Sequence, residues 1–169
     1  AKKALSSAVY TGTMGYGPIL RVLAATNGLL TMAGRAKVAY NRASKAPLQT
    51  GIPLWKKAEE EFQSLLNFID YLQKPASIEV LAQATKLFPK GTPSRIVVTA
   101  TRLPKILPSF SLNYRKKLSQ IKVRVGDMAG ALVLQNEIVL AYRETKNTLK
   151  EGQALMDLGK AHSRVRKIG

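Results

Sequence analysis

The side chains that could do chemistry are few and poorly placed for it. The chain has no cysteine and a single histidine, His162, which lies close to Arg164, Arg166 and Lys167. A metal centre needs several convergent ligands, and a Ser-His-acid relay needs a histidine held in place by structure. A lone histidine in a basic run therefore predicts a surface side chain. The lack of cysteine removes disulfides, thiolate nucleophiles and sulfur-ligated zinc together. Residues 12–17 read GTMGYG, but without the preceding strand and the G-x-G-x-x-G order of a dinucleotide loop, and no G-x-x-x-x-G-K-[ST] occurs. They predict a flexible entry to a helix. The acids follow the surfaces of helices: Glu59, Glu60 and Glu61 oppose an apolar stripe, and Glu144 sits near Lys146 and Lys150. No enzymatic role, cofactor or metal is expected.

The basic residues carry more information. Lys and Arg total 27 against 10 acids, a formal charge of +17. Residues 1–58 hold nine basic residues and no acid, and residues 80–126 hold ten and again no acid. Such a field attracts polyanions and is best tolerated when a partner neutralises it. The densest cluster is Arg115, Lys116 and Lys117, followed by Lys122 and Arg124. These five are the candidate contacts to an anionic partner. Phosphate contacts need only Lys and Arg, so RNA fits. Anionic lipid such as cardiolipin fits equally. Tyr114 stands beside the cluster and is the one aromatic well placed to stack on an unpaired base.

These residues sit on a helical pattern. With 46% hydrophobic residues the chain can bury a core, and its 169 residues suit one compact domain or a compact part with an arm. The periodicity predicts an all-α protein. It comprises a basic N-terminal helical segment (1–46), a helical hairpin (47–93), an extended proline-containing connector (94–110) and a long coiled-coil-like helix with a basic tail (111–169). Pro18 at a first-turn position opens a helix running to about Lys45. Residues 15–34 contain only Arg21 as a charge and reach the length of a bilayer span, although a buried or interfacial helix fits their polarity better. Trp55, Ala58, Phe62, Leu65, Leu66, Ile69 and Leu72 form one stripe. Pro75 ends that helix, Ser77 caps the next, and Ile96-Val97-Val98-Thr99 with Pro104 and Pro108 predicts extended backbone.

From about Asn113 onward the apolar positions are Tyr114, Leu118, Ile121, Val125, Met128, Leu132, Val139 and Tyr142. Their steps of three and four are the coiled-coil condition. About 45 helical residues would make a rod of roughly 70 Å, longer than the remaining helices could cover. Part of this seam is therefore expected to bind another chain. Gly126 and Gly130, one turn apart, are expected to allow close helix approach.

Together these features predict a non-catalytic structural subunit whose partners are other protein subunits. The opening AKKALSSAVY lacks methionine and continues into an acid-free, Arg-bearing stretch, which reads as a cleaved organellar precursor. The expected setting is a mitochondrial inner-membrane complex of the ATP synthase or respiratory-chain kind, on its matrix side. An RNA-contacting organellar ribosomal protein is the alternative, and a phage virion internal or connector protein a further one.

Overall fold

The computed structural model describes residues 17–168. Six helices account for the regular structure of these residues: α1 (Gly17–Lys45), α2 (Gly51–Gln73), α3 (Pro75–Lys86), α4 (Ser94–Arg124), α5 (Met128–Glu144) and α6 (Thr148–Ile168). The fold is all-α. GTMGYG lies outside the described residues except for Gly17. No helix among the described residues is long and apolar enough to cross a membrane.

The described chain forms two compact units. The first holds residues 17–34 and 67–110, the second residues 35–66 and 111–168, so α1, α2 and α4 each supply residues to both. In the first unit the buried residues are Val22, Ala25 and Leu29 of α1, Ile69 and Leu72 of α2, Leu81 and Ala84 of α3, and Ala100, Leu103 and Leu107 of α4. Gly28 lets the Phe68 ring come close to α1: a Cβ there would meet Phe68 Cζ at 3.1 Å.

The predicted extended connector is instead the first half of α4. Ala100, Leu103 and Leu107 repeat at helical spacing and are all buried, and that face outweighs the β-branched residues. Thr99 and Thr101 fit the helix because their hydroxyls donate to the carbonyls of Arg95 (2.8 Å) and Val97 (2.9 Å). Pro104 and Pro108 each remove one ladder hydrogen bond, a cost of about 3 kcal/mol apiece that packing must offset. Pro75 follows the end of α2 at Gln73, as predicted, and the next helix begins on it. It stands at the first turn of α3, where its missing N–H is no loss, and Lys74 rather than Ser77 occupies the cap position.

The predicted unbroken helix over 111–169 is three helices. Gly126 has φ +86°, and two bonds close the end of α4 around it: Asp127 N–H to Lys122 O (2.8 Å) and Gly126 N–H to Val123 O (3.2 Å). This is the Schellman pattern, which satisfies carbonyls left open at a helix end. Asp127 then caps α5, its Oδ1 accepting from Gly130 N–H at 2.9 Å. The same device recurs twenty residues on. Lys146 has φ 55°, Asn147 N–H donates to Tyr142 O (3.0 Å), Lys146 N–H donates to Arg143 O (3.1 Å), and Asn147 Oδ1 accepts from Lys150 N–H (3.2 Å). At each break one pair of residues stops a helix and starts the next.

In the second unit, α5 and α6 pack on one another. Ile138, Val139 and Ala154 are buried, with Leu112, Tyr142 and Leu158 packed against them. Across the turn Arg143 Nε lies 2.8 Å from Glu151 Oε1, although with Arg143 mostly exposed this pair contributes little.

Candidate functional site

Four of the five predicted anion contacts are engaged inside the second unit. Lys122 Nζ lies 3.3 Å from Asp127 Oδ2 and 3.8 Å from Glu59 Oε1. Arg115 Nε lies 3.6 Å from Glu137 Oε2. Lys117 Nζ sits over the Tyr40 ring, 4.4 Å from its centroid, and the Arg124 guanidinium lies 5.8 Å from the Trp55 ring centroid. These rings belong to one chain of contacts, edge-to-face at Tyr40 and tilted between Phe62 and Tyr114. Tyr40 meets Trp55 at 5.4 Å and Phe62 at 6.3 Å, and Phe62 meets Tyr114 at 6.1 Å. Such pairs add roughly 0.5–1.5 kcal/mol each beyond burial. Tyr114 is thus part of this packing rather than a free stacking platform, and burial raises its phenol pKa.

Lys116 is the exception. It is exposed and lines a groove of about 470 Å³ bounded by α4, α5 and α6. Lys150, Lys160 and Arg164 line the same groove, so four cations face one carboxylate, Asp157. Among the described residues none of Lys116, Lys160 and Arg164 is held in an ion pair. Tyr142 forms part of the wall, with Lys150 Nζ 5.9 Å from its ring centroid. Gln135 Oε1 is buried there without a hydrogen-bond donor. A second groove, about 700 Å³, is lined by Trp55, Tyr40, Leu48 and Ile52 among others, and it shares Gln120, Gln135 and Arg164 with the first. The two meet at those three side chains. The result is a trough with a cationic half and an aromatic-aliphatic half, joined by two amides and a guanidinium.

No protein-family model matches this chain, and comparisons with curated proteins and with solved structures found no match. What the site can do therefore rests on its own geometry. His162 is exposed on α6, and among the described residues no group of three His, Asp or Glu side chains could hold a metal ion. The groove offers cations that can face an anion, with Asp157 and Gln135 Oε1 as hydrogen-bond acceptors beside them.

The seam residues are divided by the break at Gly126. Leu118 and Ile121 are wholly buried and Val139 nearly so, which makes them core of this chain and leaves them unavailable to a partner. Tyr114, Val125, Met128, Leu132 and Tyr142 are partly buried. A single continuous seam does not exist, because α4 and α5 are separate helices. The glycines do not bring helices together either. Gly126 supplies the left-handed backbone of the turn, with open space where its Cβ would be. A Cβ on Gly130 would strike the Asp127 carboxylate, so Gly130 keeps that cap unobstructed.

The sequence reading missed Lys150 and Lys160 because they lie 34 and 44 residues from Lys116 and come together only through the α5–α6 turn. The signal that could have found them is the pair of stop-start dipeptides, Gly126-Asp127 and Lys146-Asn147, which fold the supposed rod back on itself.

Proposed function

We propose that this protein is a non-catalytic structural subunit of a large assembly, which it holds together by burying outward-facing helix faces against neighbouring subunits. The observation that carries this reading is a set of large apolar side chains two helical turns apart on exposed faces. Leu23 and Leu30 stand on α1, Val133 and Leu140 on α5, and Leu149 and Met156 on α6, with Leu149 74% and Met156 66% exposed. Single exposed aliphatics are ordinary, but repetition at a spacing that returns to one face of a helix marks a surface built for contact. The +17 charge supports the same reading, because acidic neighbours or another polyanion would relieve it. The setting we favour is a mitochondrial inner-membrane complex with the protein bound peripherally. Support comes from the acid-free, Ala/Ser/Arg-bearing composition of residues 1–46.

One observation favours a second reading, an organellar ribosomal protein: the cationic groove of Lys116, Lys150, Lys160 and Arg164. Sedimentation of the native source in mild detergent, with and without RNase, separates the two. Co-migration with ATPase or oxidoreductase activity supports the membrane complex, and a shift on RNase treatment supports the ribosome. A protein that sediments alone as a monomer under both conditions defeats both.

A further inference from the structure

We infer that the trough of the second unit binds a segment of single-stranded RNA, with its phosphates on Lys116, Lys160 and Arg164 and a base toward the aromatic half. This deepens the RNA-contacting reading and is independent of the outward apolar faces. Strands held without strict sequence preference use a positive track for the backbone beside aromatic surface for the bases. Both parts are present and contiguous. The cationic groove meets the groove holding Tyr40 and Trp55 at Gln120, Gln135 and Arg164.

The hydrogen-bonding groups choose RNA over a lipid. A phospholipid would lay an acyl chain into the aliphatic half and would have to cross the two amides and the guanidinium at the junction, stripping water from groups it cannot satisfy. A nucleotide satisfies them. Gln135 Oε1 is buried and lacks a donor, and a ribose 2′-hydroxyl or a base amino group provides one. Asp157, the single carboxylate in the groove, can accept from the same kinds of donor. Of the five cations first predicted from the sequence, Lys116 lines the cationic groove and Arg124 the aromatic half, whereas Arg115, Lys117 and Lys122 are engaged within the chain.

The test uses the purified full chain and a labelled oligouridine about 12 nucleotides long. Fluorescence anisotropy follows binding between about 50 and about 200 mM salt. The combined variant Lys116→Gln, Lys160→Gln, Arg164→Gln is expected to weaken binding by about tenfold or more and to flatten the log–log salt slope by about 2, near 0.7 for each phosphate no longer neutralised. The control Lys86→Gln, Lys90→Gln, Lys105→Gln removes the same charge from exposed positions of the first unit and is expected to change affinity less than about threefold. Trp55 is the only tryptophan, so its emission reports occupancy of the aromatic half and is expected to change as RNA saturates. Equal loss in both variants would show a general field and overturn the inference, as would undiminished binding by the groove variant or constant Trp55 emission. Vesicles of phosphatidylcholine containing cardiolipin form the competing arm. Vesicle binding that depends on the three groove cations, with no RNA binding, also overturns it. Should the combined variant lose helix content by circular dichroism, Arg164→Gln against Lys105→Gln makes the same comparison from exposed positions.

Discussion

The Lys117 ammonium sits 4.4 Å from the centre of the Tyr40 ring, joining the basic run of α4 to an aromatic of α1 within the second unit. A cation beside aromatics in a sequence invites the idea of a nucleic-acid surface. Here Lys117 is engaged with Tyr40 inside the chain, and the cations left to the groove are Lys116 and its neighbours from α6. Tyr40, Trp55, Phe62 and Tyr114 form a chain of ring contacts across α1, α2 and α4, and Lys117 and Arg124 lie over two of its members. The run Arg115-Lys116-Lys117 therefore splits by direction. Arg115 and Lys117 face their own chain, and Lys116 faces the groove.

This split predicts unequal costs for adjacent lysines. Lys117→Met is expected to lower unfolding stability by about 0.5–1 kcal/mol, the range for an exposed cation over a ring. Lys116→Met is expected to stay within about 0.5 kcal/mol of wild type, as for surface substitutions generally. Urea unfolding followed by circular dichroism distinguishes them, and equal costs would contradict the split.

Tyr114 gives a prediction on the alkaline side. Burial raises its phenol above the ordinary 10.0, so the folded chain holds this proton after the unfolded chain has released it. The neutral phenol's contribution to stability is thus fully present below pH 10.0 and is lost as pH rises through the higher folded value. Ultraviolet titration is expected to show a late-ionising phenol that is lost in Tyr114→Phe. A Tyr114→Phe titration that superimposes on wild type after scaling for one fewer tyrosine would refute this.

The helical class was legible because Ala58, Phe62, Leu65, Leu66, Ile69 and Leu72 repeat at three and four, and all are buried. The first half of α4 was misread because β-branched residues and two prolines argue locally for extended chain. The face formed by Ala100, Leu103 and Leu107 has meaning only once other helices cover it. The rod was misread for another reason. A heptad-like count passes smoothly through Gly126 and Asp127, and periodicity carries no information about a backbone reversal that depends on one positive φ. Lys146 is harder still, since a lysine in the left-handed region leaves almost no trace in composition. The groove inherits both errors, as its cations converge only after the chain turns at those points.

The two stop-start turns predict changes of opposite sign. Gly126→Ala places a Cβ at φ +86° and is expected to cost about 1–2 kcal/mol even though open space surrounds it. Lys146→Gly relieves the same strain at φ 55° and is expected to raise stability by about 0.5–1 kcal/mol. Thermal unfolding of both variants checks the pair, and destabilisation by Lys146→Gly would overturn the account of that turn.

Asp127 extends the prediction to acid. The Gly130 N–H, followed by the hydrogen bond and charge of Lys122, holds its carboxyl below the ordinary 3.8 against an opposing effect of burial. The folded-state value is depressed, so this contribution is present above pH 3.8 and is lost as pH falls through the lower folded value. Asp127→Ala is expected to cost about 1 kcal/mol near neutrality, the usual size of a lost N-cap, and its deficit is expected to vanish below that value. A deficit that persists unchanged at the acid end would assign the loss to something other than the ionised cap.

The outward faces predict a separation between folding and assembly. Leu118 is wholly buried, and Leu118→Ala is expected to lower the stability of the isolated chain by about 2–5 kcal/mol. Leu149 and Met156 are mostly exposed, and Leu149→Asp with Met156→Asp is expected to leave stability within about 1 kcal/mol of wild type. If these two residues belong to a contact face, the double variant releases the protein from its native assembly in sedimentation, because a buried interface cannot accept two unpaired carboxylates. If they are only incidental surface, the variant co-sediments like wild type, and the packing role proposed for α6 fails. Leu132 is a poorer choice for this experiment, since it is partly buried and its replacement by Asp would disturb fold and contact together.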